Sequence, residues 1–148
     1  MEDSGDREIE KLKLRRLTEM LHESRLRERI VIPAEDGGGL NARLSRHFGR
    51  APYFIVVDLE NGEISSIQAV PNESEHFGGF GLPVDRILQL KPNAVITYGM
   101  GPKALGIFQE AGVAVLMANA DTVREVVEAY RQNRLEELTE GCRYSRHR

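Results

Sequence analysis

The residues best suited to chemistry stand together in Ser45-Arg46-His47-Phe48-Gly49-Arg50-Ala51-Pro52, directly ahead of the apolar run that starts at Tyr53. An imidazole and two guanidinium groups surround a glycine in this stretch. Neutral imidazole is a common metal ligand. Guanidinium donates charge-assisted hydrogen bonds to carboxylate, phosphate or sulfide. A loop that carries both suits an anion or a metal–sulfur species. The plainer reading is that His47 and Phe48 only plug the mouth of a core.

Two further segments can join it. His76-Phe77-Gly78-Gly79-Phe80-Gly81 offers a second imidazole, His76, and open backbone at Gly78 and Gly79. Gly99-Met100-Gly101-Pro102 precedes a helix, so free N–H groups and the helix dipole face an incoming anion. Glycines in such a turn also serve where sterics alone require them, and the chain has neither a Walker lysine nor a dinucleotide fingerprint. Cys142 is the only cysteine. A cluster held by four cysteines of one chain is therefore impossible. Any metal–sulfur species must be carried by few protein ligands or shared between subunits. Cys142 itself reads as an inert exposed thiol.

The chain has 148 residues, 41% of them hydrophobic and 29% charged, with a net charge of -3. That length supports one domain with a core. The charge gives no general affinity for nucleic acid or membrane. One cysteine allows no intrachain disulfide, no apolar run reaches a membrane span, and the N-terminus is charged rather than signal-like. A cytoplasmic protein is expected.

The elements that position these residues follow from periodicity. Residues 1–29 form an extension with one amphipathic helix from Asp6, a candidate N-cap, to Glu28. Ile9, Leu14, Leu17, Met20 and Leu21 share an arc, widened by Leu12. The helix either packs on the following domain or drives dimerisation or partner docking. Ile30-Val31-Ile32 is a strand buried on both faces, ended by Pro33. Tyr53–Asp58 and Ile64–Val70 are strands joined by an Asn61-Gly62 hairpin. A helix carries Val84, Ile87, Leu88 and Leu90 and stops at Pro92. Ala94–Thr97 is the fourth strand. Pro102 starts a helix that presents Leu105, Phe108 and Ala111 before Gly112 caps it. Val113–Met117 is the fifth strand, and Asn119-Ala120-Asp121 leads into a helix with Val123, Val126, Val127 and Tyr130 at helical spacing. Residues 141–148 form a basic, loose tail.

The order is helix, then βββαβαβα. Helical crossovers make the third, fourth and fifth strands parallel, and the hairpin sets the second against the third. The Gly37–Pro52 loop, the His76–Gly81 loop, the Gly99–Pro102 turn and Asn119 then collect at one end of the sheet. In open α/β sheets ligands bind at the carboxyl ends of the strands.

From about Ile30 to Glu140 the chain resembles the dinitrogenase iron–molybdenum cofactor biosynthesis family. The likeness rests on the strand ending in Pro33, the Ser45-x-His47-Phe48-Gly49-Arg50-Ala51-Pro52-Tyr53-Phe54 motif and the His76–Gly81 loop. The Gly99-x-Gly101-Pro102 turn, the Ala111-Gly112-Val113 joint and the final helix reaching Glu137-Leu138 also match. The resemblance implies a ribonuclease-H-like α/β fold with a five-stranded mixed sheet, order 3-2-1-4-5, over residues 30–140. It also implies binding of an iron–sulfur or iron–molybdenum cluster rather than turnover of a substrate, in a process related to nitrogen fixation.

The expected protein is a non-enzymatic cluster carrier that exchanges cargo with metallocofactor donor and acceptor proteins. His47, with His76 assisting, would ligate the metal. Arg46, Arg50 and backbone at Gly49, Gly78, Gly79, Gly99 and Gly101 would solvate the cluster's charge. A homo-oligomer through the N-terminal helix is a further expectation. One rival is a small-anion-sensing interaction module. Another is a metal-dependent phosphoester hydrolase, which needs converging carboxylates. Only Glu35 and Asp36 lie at the loop end, with Asp58 near the hairpin.

Overall fold

A computed structural model of the chain describes residues 4–73 and 82–139. The element order is α1 (Ser4–Arg25), β1 (Arg27–Ala34), β2 (Tyr53–Glu60), β3 (Glu63–Pro71), α2 (Pro83–Gln89), β4 (Ala94–Thr97), α3 (Pro102–Glu110), β5 (Ala114–Met117) and α4 (Val123–Arg131). Short 3-10 turns at Gly39–Asn41 and Phe48–Arg50 punctuate the loop after β1.

The five strands form one mixed sheet in the order β3-β2-β1-β4-β5. β2 runs antiparallel to both its neighbours, whereas β1 to β4 and β4 to β5 are parallel. This is the α/β architecture that the order of elements implies. Asn61 and Gly62 take positive φ values of 55° and 79°. That conformation matches the right-handed twist of the flanking strands in a two-residue hairpin.

Both faces of the sheet are covered, so β1 is continuously apolar where it is central. Ile30, Val31 and Ile32 are all fully buried. Val31, Phe54, Val56 and Val95 face α2 and α3, where Leu105 and Phe108 complete one core layer. Ile30, Ile32, Ile55 and Val57 face α4, which contributes Val123, Val126 and Val127. Burying one such aliphatic or aromatic side chain contributes about 1.5–3 kcal/mol, so these layers hold the loops above them in place.

The structure departs from the sequence reading at the start of the sheet. The helix begins at Ser4, which puts Asp6 inside it rather than at its cap, and ends at Arg25. β1 already starts at Arg27. Its polar first residues are held by pairing with β2, including Arg29 against Asp58. Pro33 lies within β1, opposite Phe54, beyond the residues that register with β4. Its missing N–H is therefore not required by that ladder, and its carbonyl accepts the Ser45 amide at 2.9 Å. α4 is capped by Thr122, whose hydroxyl accepts from the Glu125 amide at 3.3 Å and donates to the Glu125 carboxylate at 2.8 Å. This is side-chain N-capping by Thr122, with the Glu125 carboxylate holding the capping hydroxyl.

The described side chains of α1 stop at Leu17, so Met20 and Leu21 of its apolar arc lie outside them. Residues 7–17 are exposed throughout, with Leu12 at 59%. Among the described residues no helix is long and apolar enough to cross a membrane.

Candidate functional site

The loop from Glu35 to Pro52 is tied down before it reaches the chemistry. Asp36 Oδ1 accepts the Gly38 amide at 2.9 Å. The Glu35 amide donates to Arg43 O, and the Leu44 amide donates to Asp121 O at 2.9 Å. Ser45 is buried. Its hydroxyl donates to His47 O at 3.1 Å and accepts the His47 amide at 3.2 Å. The chain then turns at Phe48–Arg50, with the Arg50 amide donating to His47 O. Phe48 roots this turn by packing edge-on against Phe108, at 5.9 Å between ring centroids. The plainer reading is thus right for Phe48 and not for His47, which is exposed.

Across from this loop, β4 ends and the chain passes through Tyr98, Gly99 and Met100 to Gly101, the N-cap of α3. No side chain caps that helix, and Pro102 occupies its first turn, where a missing N–H costs nothing. Together the loop, this turn, the start of α2 and the first turns of α3 enclose a cleft of about 630 Å³. The volume is that of a small-molecule site.

Arg46, His47, Gly49, Arg50, Gly99 and Gly101 all line this one cleft. His76, Gly78, Gly79 and Cys142 lie outside the described residues. Sequence reasoning missed the rest of the lining. Lys103 adds a further cation, while Leu82, Val84, Met100, Ala104 and Ile107 form an apolar wall. Lys103 had a signal, as a cation in the first turn of the helix after the glycine turn. The wall had none, because its residues come from two segments far apart in the chain, 82–84 and 100–107.

The cleft is electrostatically one-sided. Among the described residues no acid lines it, although the whole chain carries a net charge of -3. Neither Arg50 nor Lys103 forms an ion pair with a described residue. Arg46 is instead stacked over the Tyr98 ring, 5.2 Å from its centroid. The Tyr98 hydroxyl donates to Asp121 Oδ1 at 2.7 Å and shares that proton with Ala120 O at 3.0 Å. Burial, then the Asp121 hydrogen bond and charge, push the Tyr98 pKa up to about 12. Tyr98 is therefore a neutral donor at ordinary pH. Arg46, His47 and Tyr98 also border a second hollow of about 250 Å³, shared with Glu35, Arg43, Leu44 and Asp121.

The described carboxylates do not gather into a metal site. Asp58 sits toward the opposite end of the sheet, where Arg29 grips it through Nε at 2.8 Å and Nη2 at 3.2 Å. Asp36 is engaged by backbone amides of its own loop. Among the described residues no three His, Cys, Asp or Glu side chains are placed to hold a metal ion together. What the described residues of the cleft offer is one imidazole, three cations, open amides at a helix start and a wall of soft apolar groups. That set fits an anion with a polarisable surface.

Residues 28–133 match the family model described as dinitrogenase iron-molybdenum cofactor. An uncharacterised protein of Methanocaldococcus jannaschii is 34% identical over 112 residues, covering 74% of this chain and 91% of the relative. A NifB-like protein from Thermotoga has a similar structure, with a TM-score of 0.60 and 27% identity over 78% of this chain and 97% of that one. The apo form of the orange protein from Desulfovibrio gigas covers 78% of this chain and 97% of its own, with a TM-score of 0.63 and 22% identity. At that identity the likeness speaks for the fold.

Proposed function

Because the chain belongs to the dinitrogenase iron–molybdenum cofactor family, whose model spans residues 28–133, we propose that it is a non-catalytic carrier of an anionic iron–sulfur or iron–molybdenum cluster. The observation that carries this reading is the cleft itself. Three cations and His47 converge on it with no described acid, in an otherwise acidic protein.

A preassembled cluster brings its own bridging sulfides, so it needs few protein ligands. His47 supplies a nitrogen to one metal. Arg46, Arg50 and Lys103 offset the cluster's charge, and amides near Gly99 and Gly101 donate to sulfur at its edge. The apolar wall excludes water from the remaining faces and strengthens those contacts by lowering the local dielectric. Ligation needs the neutral imidazole. Among the described residues none in the cleft supplies the converging carboxylates of a two-metal hydrolase. Release to an acceptor is favoured by the same economy of ligands.

The test is anaerobic reconstitution with ferrous iron, sulfide and molybdate, followed by visible spectra and by metal and acid-labile sulfide analysis. Wild type should load, His47→Ala should load less, and Arg46→Ala with Arg50→Ala should hold the cluster more weakly and with a shallower salt dependence. Equal loading in all three proteins would refute the assignment of cargo to this cleft.

A further inference from the structure

The two edges of the sheet are treated differently. β5, at one edge, is covered by the chain that follows α4: the Met117 amide donates to Glu136 O and the Leu138 amide donates to Val115 O, both at 2.8 Å. β3, at the other, pairs only with β2 and has no described strand beyond it. It runs nine residues, Glu63-Ile64-Ser65-Ser66-Ile67-Gln68-Ala69-Val70-Pro71. Edge strands of this length are normally protected by lysines, internal prolines or central bulges. β3 has a single charge, on its first residue, and its proline is its last. Its register irregularity falls near the hairpin, between Asp58 and Leu59 of β2. Ile67, at its centre, is 38% exposed.

The sequence of β3 is also matched to its own reverse. A two-fold axis through Ile67 sets Ile64 opposite Val70, Ser65 opposite Ala69 and Ser66 opposite Gln68. Every pair is uncharged, and each joins apolar with apolar, small with small or polar with polar. Glu63 falls opposite Pro71, at the ends, where a missing donor and an unpaired carboxylate cost least. Directly opposed side chains decide whether an antiparallel pairing is stable, and like charges there oppose it. Two-fold self-association is also the commonest form of oligomer.

We infer that β3 pairs antiparallel with the β3 of a second copy of this chain about Ile67, which joins two sheets into one. No β3 residue lines the cleft, so each copy keeps its site, and this inference stands apart from the cargo it carries.

The experiment is light scattering and sedimentation of the full chain over a concentration series. Wild type should move toward twice its monomer mass. Ile67→Lys and Ile67→Glu, each placing like charges across the axis, should stay monomeric with unchanged circular dichroism. Mixing the two variants should restore the dimer, because the ammonium introduced in one copy would then face the carboxylate introduced in the other. A wild type that stays monomeric at its highest soluble concentration overturns the inference. So does a dimer that survives both substitutions, or one abolished instead by Leu17→Lys in α1. A mixture that fails to recover the dimer overturns the Ile67 axis.

Discussion

The Arg46 guanidinium lies 5.2 Å from the centroid of the Tyr98 ring, and Asp121 holds that ring in place through the phenol hydroxyl. The three residues come from the loop after β1, the end of β4 and the approach to α4. Their contact fixes an otherwise long, free side chain at the boundary of the cleft. Tyr98 is a positioning residue in this arrangement. Tyr98→Phe keeps the ring face and loses the hydroxyl contacts, at a cost of about 0.5–1.5 kcal/mol in stability. Tyr98→Leu also removes the face, which is worth about 0.5–1 kcal/mol at an exposed site. Loading titrations should therefore show the Phe variant near wild type and the Leu variant several-fold weaker. Wild-type loading by Tyr98→Leu would strip the stack of any part in binding.

The same tyrosine sets an alkaline limit on stability. Its folded pKa is raised to about 12 from an ordinary value of 10.0, chiefly by burial. Tyr130 is raised as well, by burial and then by its hydrogen bond to Glu28. A raised acid group stabilises the fold fully below its unfolded pKa, and that contribution is lost as pH rises through the folded one. Stability should thus hold up to about pH 10 and fall between there and pH 12 as the phenols are forced to ionise. Denaturant melts across that range, alongside phenolate absorbance, check this. Tyr98→Phe should flatten part of the decline, and an unaltered profile in that variant would assign the decline elsewhere.

Much of this was legible in the sequence for physical reasons. Ile30-Val31-Ile32 has no polar alternation because both faces of β1 are covered. Asn61-Gly62 adopts the positive φ angles that its residue types make cheap. Those two facts, with the crossover rule, bring His47 and Gly99 to one end of the sheet. The polar start of β1 was not legible, because Arg27, Glu28 and Arg29 are held in the strand by pairing partners far along the chain. The cleft's apolar wall was equally hidden: Leu82 and Ile107 meet only through the packing of α2 and α3. Thr122 and Glu125 carried a capping signal that a reading of the preceding Asn119-Ala120-Asp121 passed over.

Residues 7–17 of α1 bury little surface against the domain, and burial of apolar area is the main stabilising term available to a helix of this kind. Leu26 must stay, since its carbonyl accepts the Asn61 amide at 3.2 Å. A chain starting at Leu26 should unfold within about 0.5 kcal/mol of the full protein, the range of changes that disturb no packed feature. Denaturant melts of both forms measure it. A large loss would mean that the helix packs on the domain in solution after all.

Gly99 separates a contact with cargo from a role in the turn. Its φ is not positive, in contrast to Gly39, Gly62 and Gly112, so no backbone conformation there requires glycine. A Cβ built on Gly99 meets nothing within 4 Å. Gly99→Ala should therefore leave stability unchanged or raise it by about 0.4–1 kcal/mol through a less flexible unfolded chain. The added methyl group nevertheless stands at the rim of the cleft, where the turn amides are open. If cargo approaches that backbone closely, as a cluster edge bonded to the amides must, Gly99→Ala should load poorly while melting normally. Normal melting with normal loading would remove the Gly99 turn from the binding surface and leave the side chains of Arg46, His47, Arg50 and Lys103 to hold the anion without it.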